Sequence, residues 1–178
     1  FLWAAGRGRP KDLIIMPGWP KISPWRDDLL NMDLYQTATS LLDKIQKKEI
    51  SALELLESHL QKIEARNQKI NAVVVTDAER ATERAKAADE ALTRGESWGP
   101  LHGLPMTVKD SFEIEGIAST GGSPKWKNHL PVKNADAVQR LVDAGAIVFG
   151  KTNVPLLSGD FQTFNDVYGT TNNPWDVT

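Results

Sequence analysis

Lys109 is the first residue whose position suggests chemistry, because it ends the apolar run Leu104 to Val108 within the stretch LHGLPMTVKD. The run has the composition of a short buried strand, and lysine is among the residue types least often buried without a partner. Burial disfavours the ammonium ion, lowers the pKa of the amine and makes a lysine a usable base. The ordinary alternative is a strand end whose amine lies in water or pairs with Asp110 or Glu113.

A second motif, GAIVFGKT at residues 145–152, matches the phosphate-loop pattern G-x-x-x-x-G-K-[ST] letter for letter. Such a loop needs a strand before its first glycine and a helix that opens at its lysine. Here a helical pattern precedes Gly145, the residues between the glycines favour a strand, and Pro155 removes a backbone donor where the helix should form. We therefore expect a helix end, a buried strand and a loop, with no phosphate bound at Gly150, Lys151 or Thr152.

Composition excludes several classes of function. The 178 residues carry Lys+Arg 21 against Asp+Glu 23, a net charge of −2, and no basic stripe, so we expect no nucleic-acid partner. No apolar stretch approaches the ~18 residues of a membrane span, and the cluster at residues 13–16 is too short for a signal-peptide core. We therefore expect a cytoplasmic protein that does not bind membranes.

The chain has no cysteine, which removes disulfides, thiol nucleophiles and cysteine-based zinc sites. His59, His102 and His129 stand at no metal-ligand spacing. We expect each of them to have a structural or surface role, and we expect no metal or other cofactor.

The elements that must position Lys109 follow from hydrophobic spacing. Residues 1–32 are rich in proline, glycine and tryptophan without a period, so we expect an irregular segment, with a Trp-anchored arm as the alternative. Residues 33–178 form one domain. A helix is predicted around Ala38 to Ile45, and a second helix begins at the capping box Ser51–Glu54; its buried stripe is Leu53, Leu56, Leu60 and Ile63.

An extended segment at residues 71–75 precedes a long helix whose alanine face, Ala81, Ala85 and Ala88, buries little area. We expect this helix to be peripheral. Residues 111–117 are expected to continue the strand 104–108 in an extended form. A helix from Asp136 to Gly145 and a second strand at 146–150 then complete a parallel βαβ unit.

Three blocks in this order, GPLHGLPMTVKDSFEIEGI, NADAVQRLVDAGAIVFGKTN and YGTTNNPWD, resemble the N-terminal part of the amidase signature family. The resemblance covers about Leu34 to Thr178. It implies a partial amidase-signature α/β fold, with a mixed β-sheet core flanked by helices. It also implies hydrolysis or transfer at the carboxamide of a small-molecule substrate, by a Ser–cis-Ser–Lys triad without metal, in which Lys109 is the catalytic base. A homodimer is compatible with the sequence.

The chain departs from the family pattern at its end. In the family, NPWD runs into a Gly/Ser-rich loop with the bridging serine, and the nucleophile follows further on. Neither serine can be assigned before Thr178, so we expect a fragment that hydrolyses no amide alone and whose Lys109 amine is solvated. The serines that lie outside the matching motifs are interpreted as turn or loop residues: Ser111, Ser119, Ser123 and Ser158.

Substrate class is only indirectly indicated. The stretch VPLLSGDFQTFN resembles stand-alone amidases more than the glutaminase chains of tRNA-dependent amidotransferases. The resemblance places Gly159 and Asp160 near the acyl-binding cleft, and the alternative is an ordinary loop with a helix cap at Asp160. The competing hypotheses are a serine-dependent amidase, the glutaminase chain of a tRNA-dependent amidotransferase, and a non-catalytic amidase-like remnant.

Overall fold

A three-stranded mixed sheet, with helices packed against it, organises the computed structural model, which describes residues 32–177. Apart from Met32, the predicted irregular segment 1–32 lies outside the described residues. The helices are α1 (Ala38–Gln46), α2 (Ala52–Ile70), α3 (Ala78–Thr93) and α4 (Asp136–Asp143). The strands are β1 (Val73–Thr76), β2 (Pro105–Lys109), β3 (Ile147–Thr152), and the short pair β4 (Phe164–Asn165) and β5 (Gly169–Thr170).

Local capping fixes where helix α2 begins and ends. Ser51 Oγ accepts from the backbone N–H of Glu54 at 2.9 Å, and the Glu54 carboxylate accepts from the backbone N–H of Ser51 at 3.1 Å. This is the predicted capping box, and it satisfies two donors that the first helical turn leaves free. At the other end Asn71 adopts the left-handed conformation with φ of 55°, which stops the helix and directs the chain into β1.

Strand β3 is the centre of the sheet, in the order β1-β3-β2. It pairs antiparallel with β1 and parallel with β2, in a register that places Val108 opposite Lys151 and Lys109 opposite Thr152. The predicted parallel pairing of the two apolar runs is confirmed, with α4 in the connection. Strand β3 continues to Thr152, two residues beyond the predicted strand, and therefore includes Lys151.

The expectation that α3 is peripheral is wrong. Its face of Ala78, Ala81, Ala85 and Ala88 is buried in one core cluster with Leu56 and Leu60 of α2 and with Ile147 and Phe149 of β3. Leu53 and Ile63, predicted to be buried, pack against this cluster while partly exposed. The small side chains bury little area of their own, but they let α3 approach closely enough to cover larger side chains on its neighbours.

The expectation that residues 111–117 continue the strand is also wrong. The backbone turns after Lys109, with Phe112 N–H donating to Lys109 O at 3.0 Å. Ile114 and Ile117 then form an isolated bridge with each other, and Gly116 between them has φ of 71°. The alternation that predicted a strand instead reflects two buried isoleucines, which pack with Val108 and Val138.

Arg84 of α3 holds the end of α4 in place. Its guanidinium donates to Val142 O at 2.7 Å and to Ala146 O at 3.0 Å, and it stacks over the ring of Trp98 at 4.8 Å from the centroid. The two carbonyls lie where a helix leaves its last acceptors free. Arg84 therefore fixes how the chain passes from α4 into the central strand. Among residues 32–177, no helix is both long enough and apolar enough to cross a membrane.

The close pairing of β1 and β3 gives a test at Gly150. A Cβ atom added there would lie 2.6 Å from Val75 O, so Gly150→Ala should force the strands apart and cost about 3 kcal/mol of unfolding free energy. Gly95→Ala is the control: Gly95 has φ of 79°, with nothing within 4 Å of an added Cβ, so it should cost only about 1 kcal/mol. Urea unfolding of both variants measures the difference. Equal losses would contradict the close strand contact.

Candidate functional site

Lys109 lies at the carboxyl end of β2, opposite Thr152, and its side chain is exposed. Its carbonyl oxygen accepts from Phe112 in the turn that follows. Residues 32–177 therefore fix the backbone of Lys109 but do not supply the burial that would make its amine a base.

The buried lysine of the structure is Lys151, whose side chain is 0% exposed. Its Nζ lies 2.7 Å from Asp110 Oδ1, 2.6 Å from Ser119 Oγ and 3.2 Å from Ala118 O. Burial lowers the pKa of Lys151, and the hydrogen bond and charge of Asp110 oppose that shift. Three acceptors match the three N–H donors of an ammonium ion, so the geometry is that of a charged Lys151–Asp110 pair.

Ser119 contacts a lysine but does not have the geometry of a nucleophile. Its Oγ accepts from Lys151 and donates to Ile117 O at 3.0 Å, so its proton points at a carbonyl and not at a base. A serine nucleophile requires a neighbouring group that takes its proton. The predicted loop position of Ser119 agrees with the structure, and its function there is to hold the ammonium of Lys151.

Asp110 is hydrogen-bonded through its carboxylate and through both of its backbone groups. The carboxylate accepts from Thr120 Oγ1 at 2.6 Å and from Thr120 N–H at 3.2 Å, in addition to Lys151. Its backbone N–H donates to Thr152 O at 2.9 Å, and its carbonyl accepts from Gly121 at 3.2 Å. The residue that follows Lys109 is thus fixed to β3 on one side and to the 118–121 loop on the other.

Gly159 and Asp160 are exposed and follow a single 3₁₀ turn, Leu156–Ser158. The alternative of a helix cap is wrong, since no helix begins at Asp160; its Oδ1 accepts from Gln162 N–H at 3.2 Å. The 3₁₀ turn is joined to the region after Lys109, because Leu157 N–H donates to Gly121 O at 2.8 Å.

A cavity of about 360 Å³ opens beside the buried pair. Asp110, Ser119 and Trp126 line it, together with Glu113 and His129, whose side chains lie 2.6 Å apart. The Lys109 side chain does not line this cavity. No cluster of three His, Asp or Glu side chains within residues 32–177 is placed to hold a metal ion.

The histidines have local structural contacts. His102 is buried, and its ring nitrogens contact Trp98 N–H at 3.0 Å and Ala88 O at 3.1 Å. His59 Nδ1 lies 2.7 Å from Leu55 O within α2.

The Lys151–Asp110 pair does not follow from the sequence patterns, which place Lys151 in a loop after the strand and draw attention to Lys109 instead. The available signal was the continuation of the apolar run through Gly150, a residue that lets β1 approach. A strand extended by two residues brings Lys151 into the interior, where a carboxylate is required.

Comparison with known proteins places the chain among enzymes. The sequence profile of the Amidase family matches residues 54–178. The A chain of the glutamyl-tRNA(Gln) amidotransferase of Streptomyces coelicolor is 40% identical over 142 residues, which are 80% of this chain and 29% of that protein.

Two solved structures share the fold. The peptide amidase of Stenotrophomonas maltophilia aligns with a TM-score of 0.75 and 28% identity, over 81% of this chain and 31% of its own. A 6-aminohexanoate cyclic dimer hydrolase aligns with a TM-score of 0.71 and 31% identity, over 82% of this chain and 29% of its own. The predicted α/β fold with a mixed, helix-flanked sheet is confirmed. The chain spans under a third of the length of these relatives.

The burial of Lys151 predicts that the GAIVFGKT motif binds no nucleotide. Lys151 lies within a strand with its amine fully enclosed, so it cannot reach a phosphate. Titration calorimetry with Mg-ATP should show no saturable heat. Micromolar binding that Lys151→Gln abolishes and Lys86→Gln, on the exposed side of α3, preserves would contradict this assignment.

The same geometry predicts a stability effect. Lys151→Gln leaves the Asp110 carboxylate buried without its cation and should cost about 3–5 kcal/mol of unfolding free energy. The double variant Asp110→Asn/Lys151→Gln removes both charges and retains hydrogen-bonding groups, so it should recover at least half of that loss. Urea unfolding at neutral pH measures both. A double variant less stable than Lys151→Gln would show that the charges are not coupled.

Proposed function

Since the chain belongs to the amidase family, we propose that the protein cleaves carboxamide C–N bonds and that Lys109 is its catalytic base. The observation that carries the proposal is the family match over residues 54–178, which includes the GLPMTVKD strand. The position of Lys109 supports it. The amine extends from the end of a strand whose next residue is fixed through its carboxylate and its backbone, and it lies free to meet groups from outside residues 32–177.

The chemistry proposed for Lys109 requires a neutral amine. In the triad that the resemblance implies, the lysine accepts the proton of a bridging serine, which in turn activates the nucleophilic serine for attack on the amide carbonyl. Both serines belong to the part of the family domain that follows this chain. Packing of that part over the end of β2 would desolvate Lys109 and lower its pKa.

Gly159 and Asp160 are proposed to contribute to the substrate cleft. The support is the turn before them, where Leu157 and Ser158 have φ of 52° and 61°. Such angles cost a non-glycine residue about 1 kcal/mol or more and are concentrated at functional positions. The hydrogen bond between this turn and Gly121 ties the proposed substrate segment to the loop that holds Asp110.

A second candidate is the glutaminase chain of a tRNA-dependent amidotransferase. The amidotransferase chain of Streptomyces coelicolor, at 40% identity, is more similar in sequence than the two hydrolases of known structure, at 28% and 31%. The two candidates share the proposed base and differ in substrate. Steady-state assays with glutamine and with an aryl acetamide separate them, and co-purification with a tRNA-binding partner favours the amidotransferase. In either case we propose a cytoplasmic enzyme.

The proposal predicts a large catalytic effect at Lys109. In the full-length gene product, Lys109→Ala should lower kcat for the preferred amide by about 1,000-fold or more, because the proton acceptor is lost. Lys86→Ala on the exposed side of α3 should leave kcat unchanged, and Lys151→Ala should cost far less than Lys109→Ala. Residues 1–178 alone should show no turnover.

Three results would overturn the assignment. They are a loss below tenfold for Lys109→Ala, equal losses for the Lys109 and Lys151 variants, and amide hydrolysis by residues 1–178 alone.

A further inference from the structure

The Lys151–Asp110 pair has no role in the proposed triad, although it is buried directly beside the proposed base. We propose that this pair, together with Thr120, positions Lys109, by fixing the backbone at residue 110 so that the Lys109 amine is held on its target. The inference rests on the proposed function, since it takes Lys109 to be the base.

The first step of the argument is the bonding around Lys109. Pairing with β3 fixes the chain up to this residue, because Lys109 lies opposite Thr152. The Asp110 N–H continues that pairing to Thr152 O, and the turn bond from Phe112 to Lys109 O fixes the other side of the peptide. The main chain around Lys109 therefore has one conformation, and only the side chain remains free.

The second step is what holds Asp110. Strand β2 is an edge strand of the described sheet, so its end has a strand neighbour on one side only. The Asp110 carboxylate replaces the missing neighbour: it binds Lys151 on β3 and Thr120 on the following loop. Charge-assisted hydrogen bonds are shorter and stronger than neutral ones, so this carboxylate resists small displacements of the strand end.

The third step is why a charged pair occupies this position. A buried ion pair is weak evidence for stability, because apolar groups of similar volume often stabilise a fold as well or better. Its advantage is a defined geometry. A catalytic group displaced by about 1 Å can lose about 100-fold in rate, so a rigid support directly after the base has a functional consequence that a looser support lacks.

Kinetics of four variants of the full-length gene product test the proposal: Lys151→Gln, Asp110→Asn/Lys151→Gln, and each of these combined with Lys109→Ala. We expect the double variant Asp110→Asn/Lys151→Gln to keep a thermal midpoint near that of Lys151→Gln or above it. Its kcat should fall about 10- to 100-fold, while KM changes less than about twofold. Combined with Lys109→Ala, the same substitutions should lower the residual kcat less than about twofold, because the pair acts through Lys109. Lys86→Gln is the matched control and should leave all of these values unchanged.

A milder variant covers the case in which the charge variants fold poorly. Thr120→Val removes the 2.6 Å bond to Asp110 and leaves the ion pair in place. It should lower kcat in the same direction by a smaller factor, again with KM nearly constant.

The outcomes separate the two proposals. Wild-type kcat in both Asp110→Asn/Lys151→Gln and Thr120→Val would overturn the positioning role. Equal losses with and without Lys109 would show a purely structural pair and overturn it as well. If Lys109→Ala alone retains kcat, the assignment of the base fails, whatever the pair variants show.

Discussion

The ammonium group of Lys151 is bonded to three acceptors that the folded chain brings together from two segments around its proposed catalytic strand. Asp110 belongs to the end of β2, while Ala118 and Ser119 belong to the loop that returns after it. Since Lys151 itself lies on the central strand β3, one side chain joins the centre of the sheet, its edge and the adjoining loop. An ion enclosed in this way needs all of its partners at once, so these three parts of the structure form together or not at all.

Close packing makes that enclosure available. The alanine face of α3 and Gly150 of β3 remove side-chain volume on both sides of the sheet's centre, which lets the helices and β1 approach. The two large side chains before Gly150, Ile147 and Phe149, occupy the space on the helical side. Small residues and a buried charge are thus parts of one arrangement: close backbones exclude water, and the exclusion of water makes the hydrogen bonds of Lys151 necessary.

The features that the sequence predicted correctly depend on local information. The capping box at Ser51, the start of α4 at Asp136 and the parallel pairing of two apolar runs all follow from spacing within a few residues of each element. The burial of Lys151 could not be predicted in that way, because its carboxylate partner lies 41 positions earlier in the chain. The substrate segment at Gly159 and the role of Lys109 depend on residues outside the described chain, which spans under a third of its relatives. The strand predicted at 111–117 is wrong because two buried isoleucines in a turn show the same alternation as a strand.

The position of β3 at the centre of the sheet also has a consequence for protein synthesis. Both of its neighbours, β1 and β2, precede it in the chain. A ribosome that adds about 5–20 residues per second would release β1 several seconds before its partner exists. During that interval the edges of β1 and β2 and the alanine face of α3 have nothing to pair with or to cover. The nascent chain therefore depends on a late strand to complete its core, and the interval before β3 emerges is when a chaperone would have the most exposed apolar surface to bind.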